Sequence, residues 1–197
     1  MKTLLIVGGS KGIGKAILSR HLPDHKIINL SRSSPDLKHE NLTHIPFDVL
    51  HDELPVVETI DKLVYCPGSI HLKPVNRFTL EDFKSDFDIN VLGAIRTIQW
   101  YLPALKKGKL PGILLFSTVA TQVGMPFHTS IAASKAAVEG FARSLAAEVA
   151  PLIRVNVIAP TITDTELAGG ILRNDTIREK MNEKHPLKSF LAPENVA

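Results

Sequence analysis

The chain has 197 residues, 44% of them apolar and 22% charged, with a formal net charge of +3. These are ordinary values for one well-buried globular unit, and the charge is too small and too scattered to mark a nucleic-acid binder. The single cysteine, Cys66, excludes an internal disulfide, and no apolar run has signal-peptide or membrane-span length. A cytoplasmic protein that engages neither nucleic acid nor membrane is the expectation.

Strand-like and helix-like segments alternate along the chain. Residues 4–7 are a short apolar run stopped by Gly8-Gly9, the pattern of a fully buried strand. Residues 12–22 read as a helix with Ile13, Ile17, Leu18 and Leu22 on one face, ended by Pro23-Asp24. Residues 26–30 and 45–47 are the second and third strands. The link 51–61 contains Pro55 and is too short for a full helix. Residues 62–66 are the fourth strand, stopped by Pro67-Gly68. Thr79 caps a helix whose first turn holds Glu81 and Asp82, and a longer helix runs from 90 to 105. A fifth strand (112–117), an Ala-rich helix (130–150) and a sixth strand (154–158) follow. Residues 161–190 form a loop containing a helix, and Pro193 to Ala197 read as the start of another. This order predicts one α/β domain over 1–197, three-layered and doubly wound, with a parallel sheet and helices on both faces.

Gly8-Gly9-Ser10-Lys11-Gly12-Ile13-Gly14 follows a strand and opens a helix. In that context the glycines allow a tight turn, a close approach of backbone to a pyrophosphate and tight helix–strand packing, and the helix N-terminus attracts the negative charge. Residues 9–15 also fit the first part of a triphosphate-binding loop. Ala16 stands where that loop needs a hydroxyl for magnesium, so the triphosphate reading is rejected and Lys15 is an ordinary helix residue. The second strand ends in Asn29-Leu30-Ser31-Arg32-Ser33, with no acid to hold the ribose hydroxyls of NAD. Arg32 can hold a 2′-phosphate bidentately and Lys11 adds a second charge, which makes NADP(H) the expected cofactor. No metal is expected.

The motif order then resembles the short-chain dehydrogenase/reductase family over nearly the whole chain. Val7 to Gly14 is similar to its TGxxxGIG, with Val7 where Thr is usual. Asp48-Val49 resembles its adenine-contacting pair, and Tyr65-Cys66-Pro67-Gly68 stands where the family has Asn-Asn-Ala-Gly. Asn90 matches its helix asparagine, Thr118 its catalytic serine and Lys135 its catalytic lysine. Pro160-Thr161-Ile162-Thr163-Asp164-Thr165 resembles the PGxxxT segment near the nicotinamide, with Thr161 in place of glycine. The resemblance implies a Rossmann fold that continues with a further helix and strand after 193–197. It also implies a small carbonyl or alcohol substrate, and homodimers or homotetramers formed through the helices near 90–106 and 131–149. Phe141 and Leu145 would serve either that interface or the core.

The resemblance also exposes a gap. The family's proton donor is a tyrosine four residues before the lysine, on the same helix face, where the ammonium tunes the phenol. Here that residue is Ile131, which cannot move a proton. Tyr65 and Tyr101 lie at no helical offset from Lys135. His128, Thr129 and Ser130 are nearby alternatives, His128 read as a loop residue facing solvent, and a water held by Lys135 and Asn90 is another. Two readings stay open. One is an NADP(H)-dependent oxidoreductase with an altered proton-transfer site. The other is a non-catalytic NADP(H)-binding sensor or partner protein.

Overall fold

The computed structural model describes all 197 residues. Six strands, β1 Lys2–Val7, β2 His25–Ser31, β3 Leu42–Pro46, β4 Lys62–Tyr65, β5 Gly112–Phe116 and β6 Arg154–Ile158, form one parallel sheet in the order β3-β2-β1-β4-β5-β6. The helices are α1 Gly12–His21, α2 Leu80–Phe87, α3 Gly93–Lys106, α4 Ala120–Val123, α5 Thr129–Val149, α6 Asp175–Lys184 and α7 Pro193–Val196. This is the expected doubly wound Rossmann architecture.

Side chains alternate across a strand, so the sheet feeds two cores. Leu5, Val7, Leu63, Tyr65, Ile113 and Leu115 pack with Ile98, Tyr101 and Leu105 of α3 and Val138, Ala142 and Leu145 of α5. Leu4, Ile6, Ile27 and Val64 face the other way and meet Ile17 and Leu18 of α1. Leu145 is therefore a core residue, and Phe141 packs against the same cluster, which removes Leu145 as an interface candidate.

Each face has one connection without a helix. The link 51–61 holds no helix, as Pro55 predicts, and the connection 32–41, broken by Pro35, holds none either. Strand β3 spans Leu42–Pro46 rather than 45–47, because its pairing with Ile27 to Ser31 of β2, not its apolarity, sets its length. Thr79 does cap α2: its hydroxyl accepts the Asp82 N–H, and the Asp82 carboxylate accepts the Thr79 N–H. Between α2 and α3 the helix continues through a single π turn, Asp88–Leu92, which carries Asn90. No helix is long and apolar enough to cross a membrane.

Candidate cofactor and carbonyl site

In a doubly wound sheet the crevice opens beyond the strand C-termini where the strand order reverses, here between β1 and β4. A cavity of about 800 Å³ lies there. Its walls include Gly8, Ser10, Lys11, Gly12, Ile13 and Gly14 of the turn, Arg32, Asp48 and Val49, Cys66, Pro67 and Gly68, and Pro160, Thr161, Ile162 and Thr165. Asn90, Thr118, Ile131 and Lys135 line it as well. Gly9 is the one predicted cofactor residue that does not; its N–H instead donates to Asn29 Oδ1 at 2.9 Å.

The turn fits a pyrophosphate on its own geometry. Gly8 has φ 81°, a left-handed conformation that favours glycine. A β-carbon on Gly14 would lie 2.2 Å from the Gly8 carbonyl oxygen, so α1 can pack this close only with glycine there. The first turn of α1 has no side-chain cap and no acid, which leaves its N–H groups directed at the cavity for an anion. Asn29, buried on β2, braces the arrangement by donating to Ser31 Oγ at 2.9 Å.

Arg32 is exposed at the cavity wall and takes part in no ion pair. Lys11, the second predicted cation, pairs with Glu166. The Asp48 carboxyl is held below its usual range, chiefly by the Leu50 N–H. No group of three or more His, Cys, Asp or Glu side chains is arranged to hold a metal.

At the other end of the cavity, a β-carbon on Gly68 would lie 3.0 Å from Asn90 Oδ1 and 3.8 Å from Lys135 Nζ, which brings these three positions together. Asn90 Nδ2 donates to the Asp86 carbonyl at 2.8 Å, while Asn90 Oδ1 is buried without a partner. A buried acceptor left open is costly, so this oxygen is a ready seat for a water or a ligand donor. Burial pulls the Lys135 ammonium down to about 8, against opposing influences from Cys66 and Asp86. Burial likewise pushes the Cys66 thiol up to about 12, which keeps it neutral.

Thr118 is placed by a clasp that the sequence did not reveal. Ser117 and Thr121, on either side of it, both donate to the Glu139 carboxylate on α5, one turn after Lys135. The other proton-donor candidates are ruled in or out by position. The Tyr65 hydroxyl donates to the Ile89 carbonyl and the Tyr101 hydroxyl to the Pro55 carbonyl, and burial raises both phenols far above neutrality. Ser130 is fully buried and gives its proton to Asp86 Oδ2 at 2.7 Å rather than facing the cavity. His128 is half-buried, immediately precedes α5 and lines the cavity, so it does not simply face solvent.

The fold and this crevice define a Rossmann-type α/β protein with a lysine and an asparagine at one end of the cavity. A family model described as enoyl-(acyl carrier protein) reductase matches residues 48–197, and the chain belongs to that branch of the short-chain dehydrogenases/reductases. Among curated relatives it is similar to a tropinone reductase homolog of Arabidopsis thaliana, 28% identical over 217 aligned positions, covering 100% of this chain and 81% of the relative. It is 31% identical over 143 residues to the 3-oxoacyl-[acyl-carrier-protein] reductase of Aquifex aeolicus, covering 72% of this chain and 57% of the relative. Like that one, several matched relatives extend to roughly twice the length this chain covers, among them an acetoacetyl-CoA reductase from Synechocystis, covered to 50%. Of solved structures, the ligand-free aldohexose dehydrogenase of Thermoplasma acidophilum superposes with a TM-score of 0.88 at 24% identity, over 99% of this chain and 83% of that one. A variant of ElxO with NADPH bound superposes with a TM-score of 0.84 at 25% identity, over 99% and 88%.

Proposed function

We propose that this chain binds NADP(H) in the crevice and serves an oxidoreductase that interconverts a small carbonyl and its alcohol. The observation that carries the reading is the single cavity that joins the uncapped glycine turn and Arg32 at one end to Asn90, Thr118 and Lys135 at the other. The turn and the α1 N-terminus hold the pyrophosphate, Arg32 and Lys11 the 2′-phosphate, and Asp48 and Val49 the adenine end. Cys66, Pro67, Gly68, Pro160, Thr161, Ile162 and Thr165 enclose the nicotinamide, with Lys135 on its ribose. When bound, the reduced nicotinamide supplies a hydride. The Thr118 hydroxyl then holds the carbonyl oxygen, and the Lys135 ammonium stabilises charge that develops on it.

The similarity to the NADPH-bound ElxO variant supports the cofactor choice. Fluorescence titration with NADPH and NADH tests it, with NADPH expected to bind more tightly. NADPH oxidation across a panel of aldehydes, ketones and quinones tests the chemistry, and no turnover of any of them counts against it. Ile131, buried at the cavity wall, favours a second reading, a non-catalytic NADP(H)-binding sensor or partner. Under that reading NADPH binds, the panel is inert, and Ile131→Tyr creates turnover. Leu92 and Trp100, exposed next to and on α3, are the surface proposed to meet a second copy of the chain, which light scattering would detect as a dimer or tetramer.

A further inference from the structure

Behind the reactive end of the cavity lies a polar cluster centred on Asp86, whose side chain is fully buried in α2. Its carboxylate accepts the Ser69 hydroxyl at 2.6 Å and the Ser130 hydroxyl at 2.7 Å. His71 Nδ1 lies 2.8 Å from the same Oδ1 that Ser69 uses. The cluster reaches the cavity at one end and water at the other: Ser69 lines the cavity, and the His71 side chain is 37% exposed. Asn90 joins it to the reactive end, since Nδ2 approaches Ser69 Oγ at 3.3 Å and the Asp86 carbonyl at 2.8 Å.

Such a cluster is expensive to build for adhesion alone. A buried carboxylate is costly to desolvate even when hydrogen-bonded, and a well-packed apolar residue often holds helices together as well or better. Nor is it a hydrolytic triad. Asp86 stands between serine and histidine, so His71 cannot take the Ser69 proton directly. What the order Ser69–Asp86–His71 does provide is a continuous line of proton-exchanging atoms from solvent to the cavity, beside the helix position where Ile131 replaces a phenol.

We propose that Ser69, Asp86 and His71 form a proton path that serves carbonyl reduction in place of a tyrosine at 131; this rests on the oxidoreductase reading above. The reductant is the reduced nicotinamide. Its hydride forms a C–H bond, the carbonyl π pair moves to oxygen, and the carbonyl is reduced as the nicotinamide is oxidised. The alkoxide takes the Ser69 Oγ proton, directly or through one water at Asn90. Ser69 Oγ is reprotonated from Asp86 Oδ1, and Oδ1 from the Nδ1–H of a His71 imidazolium. His71 ends neutral and regains its proton from solvent. The charged groups facing this path are Asp86 from α2, Lys135 from α5, and Lys73, which is paired with Asp82 at the start of α2; His128 stands before α5.

The experiment compares His71→Gln, Ser69→Ala and the wild type in NADPH binding, in kcat against pH, and in the NMR titration of the His71 ring with and without NADPH. His71 is partly exposed, so His71→Gln leaves the buried carboxylate with two donors and is expected to fold. Expected are an NADPH affinity within two-fold of wild type and a fall in kcat of about 100-fold in both variants. The limb of the pH profile that belongs to His71 disappears in His71→Gln, and the wild-type ring midpoint moves when NADPH binds. In an Ile131→Tyr background, His71→Gln costs little, because the phenol bypasses the path. Turnover and pH profile within two-fold of wild type in both variants, or a His71 midpoint indifferent to NADPH, overturns the path and leaves the oxidoreductase reading standing. A wild type that reduces nothing sinks that reading first, and the path with it.

Discussion

Lys11 and Glu166, 155 residues apart in the chain, form an ion pair across the mouth of the cavity. Both side chains are mostly exposed, so the pair itself is worth at most about 1 kcal/mol. Its interest is that it occupies a cation assigned to the 2′-phosphate in the proposed NADP(H) site. Glu166→Gln is expected to free Lys11 and tighten NADPH binding by about 2–5-fold at low salt, within the energy of such a pair. NADH affinity stays unchanged and the gain fades at high salt. Fluorescence titration at two ionic strengths checks this, and equal gains for both cofactors would contradict it.

Arg32 has no ion-pair partner to give up. Removing a charge-assisted bond to phosphate costs about 1.5–3 kcal/mol, so Arg32→Ala is expected to weaken NADPH binding about 10–100-fold while sparing NADH. The ratio of the two dissociation constants is the measurement. A ratio that stays put would place the 2′-phosphate elsewhere.

Lys135 makes a prediction about stability. Its folded value of about 8 lies below its ordinary 10.5. Between those two values the unfolded chain binds more protons than the folded one, so this group's contribution to stability rises with pH through that window. Below pH 8 the cost of keeping the ammonium in the cavity wall is present in full. Lys135→Met is therefore expected to stabilise the fold at pH 7 by about 1–3 kcal/mol, with the difference from wild type shrinking towards pH 10. Urea midpoints at the two pH values decide it. A variant less stable than wild type at pH 7 would show that Lys135 gains more from its neighbours than burial costs it.

Gly14→Ala tests the glycine turn itself. The added methyl would meet the Gly8 carbonyl at 2.2 Å, a backbone atom that cannot swing aside. The expected cost is about 1–3 kcal/mol, the usual penalty for overpacking, together with loss of NADPH binding. Thermal unfolding and titration of the same sample separate the two effects. A variant with unchanged midpoint and affinity would mean that α1 is free to retreat from β1.

The turn, the strands β1, β4, β5 and β6 and the long α5 are legible in the sequence because each is written in local chemistry: apolar runs closed by Gly or Pro, and an Ala-rich helix. Strand β3 is less so, since its extent is set by β2. The site divides in the same way. Lys135, Asn90 and Thr118 announce themselves through motif spacing. Asp86 does not, because among Glu81, Asp82 and Asp88 it reads as one more solvated acid on a helix. Only the fold gathers Ser69, His71 and Ser130 around it. One local clue was present: Asp86 precedes Asn90 by four residues, and Glu139 follows Lys135 by four, so each shares a helix face with a residue already assigned to the site.

The π turn Asp88–Leu92 bears on how this site changes over time. Successive residues of an α-helix are about 100° apart around the axis. A turn one residue wider than its neighbours therefore acts as an angular spacer, setting the azimuth of α2, with Asp86, against that of α3, with Tyr101. Loss of a single codon here would keep both segments helical yet swing one relative to the other by about that angle, carrying either the polar cluster or the core contacts out of place. The site is thus specified by a count of residues as much as by their identities. Exchanging side chains one at a time explores chemistry at fixed azimuth; an insertion or deletion in this turn re-aims the whole reactive end in one step.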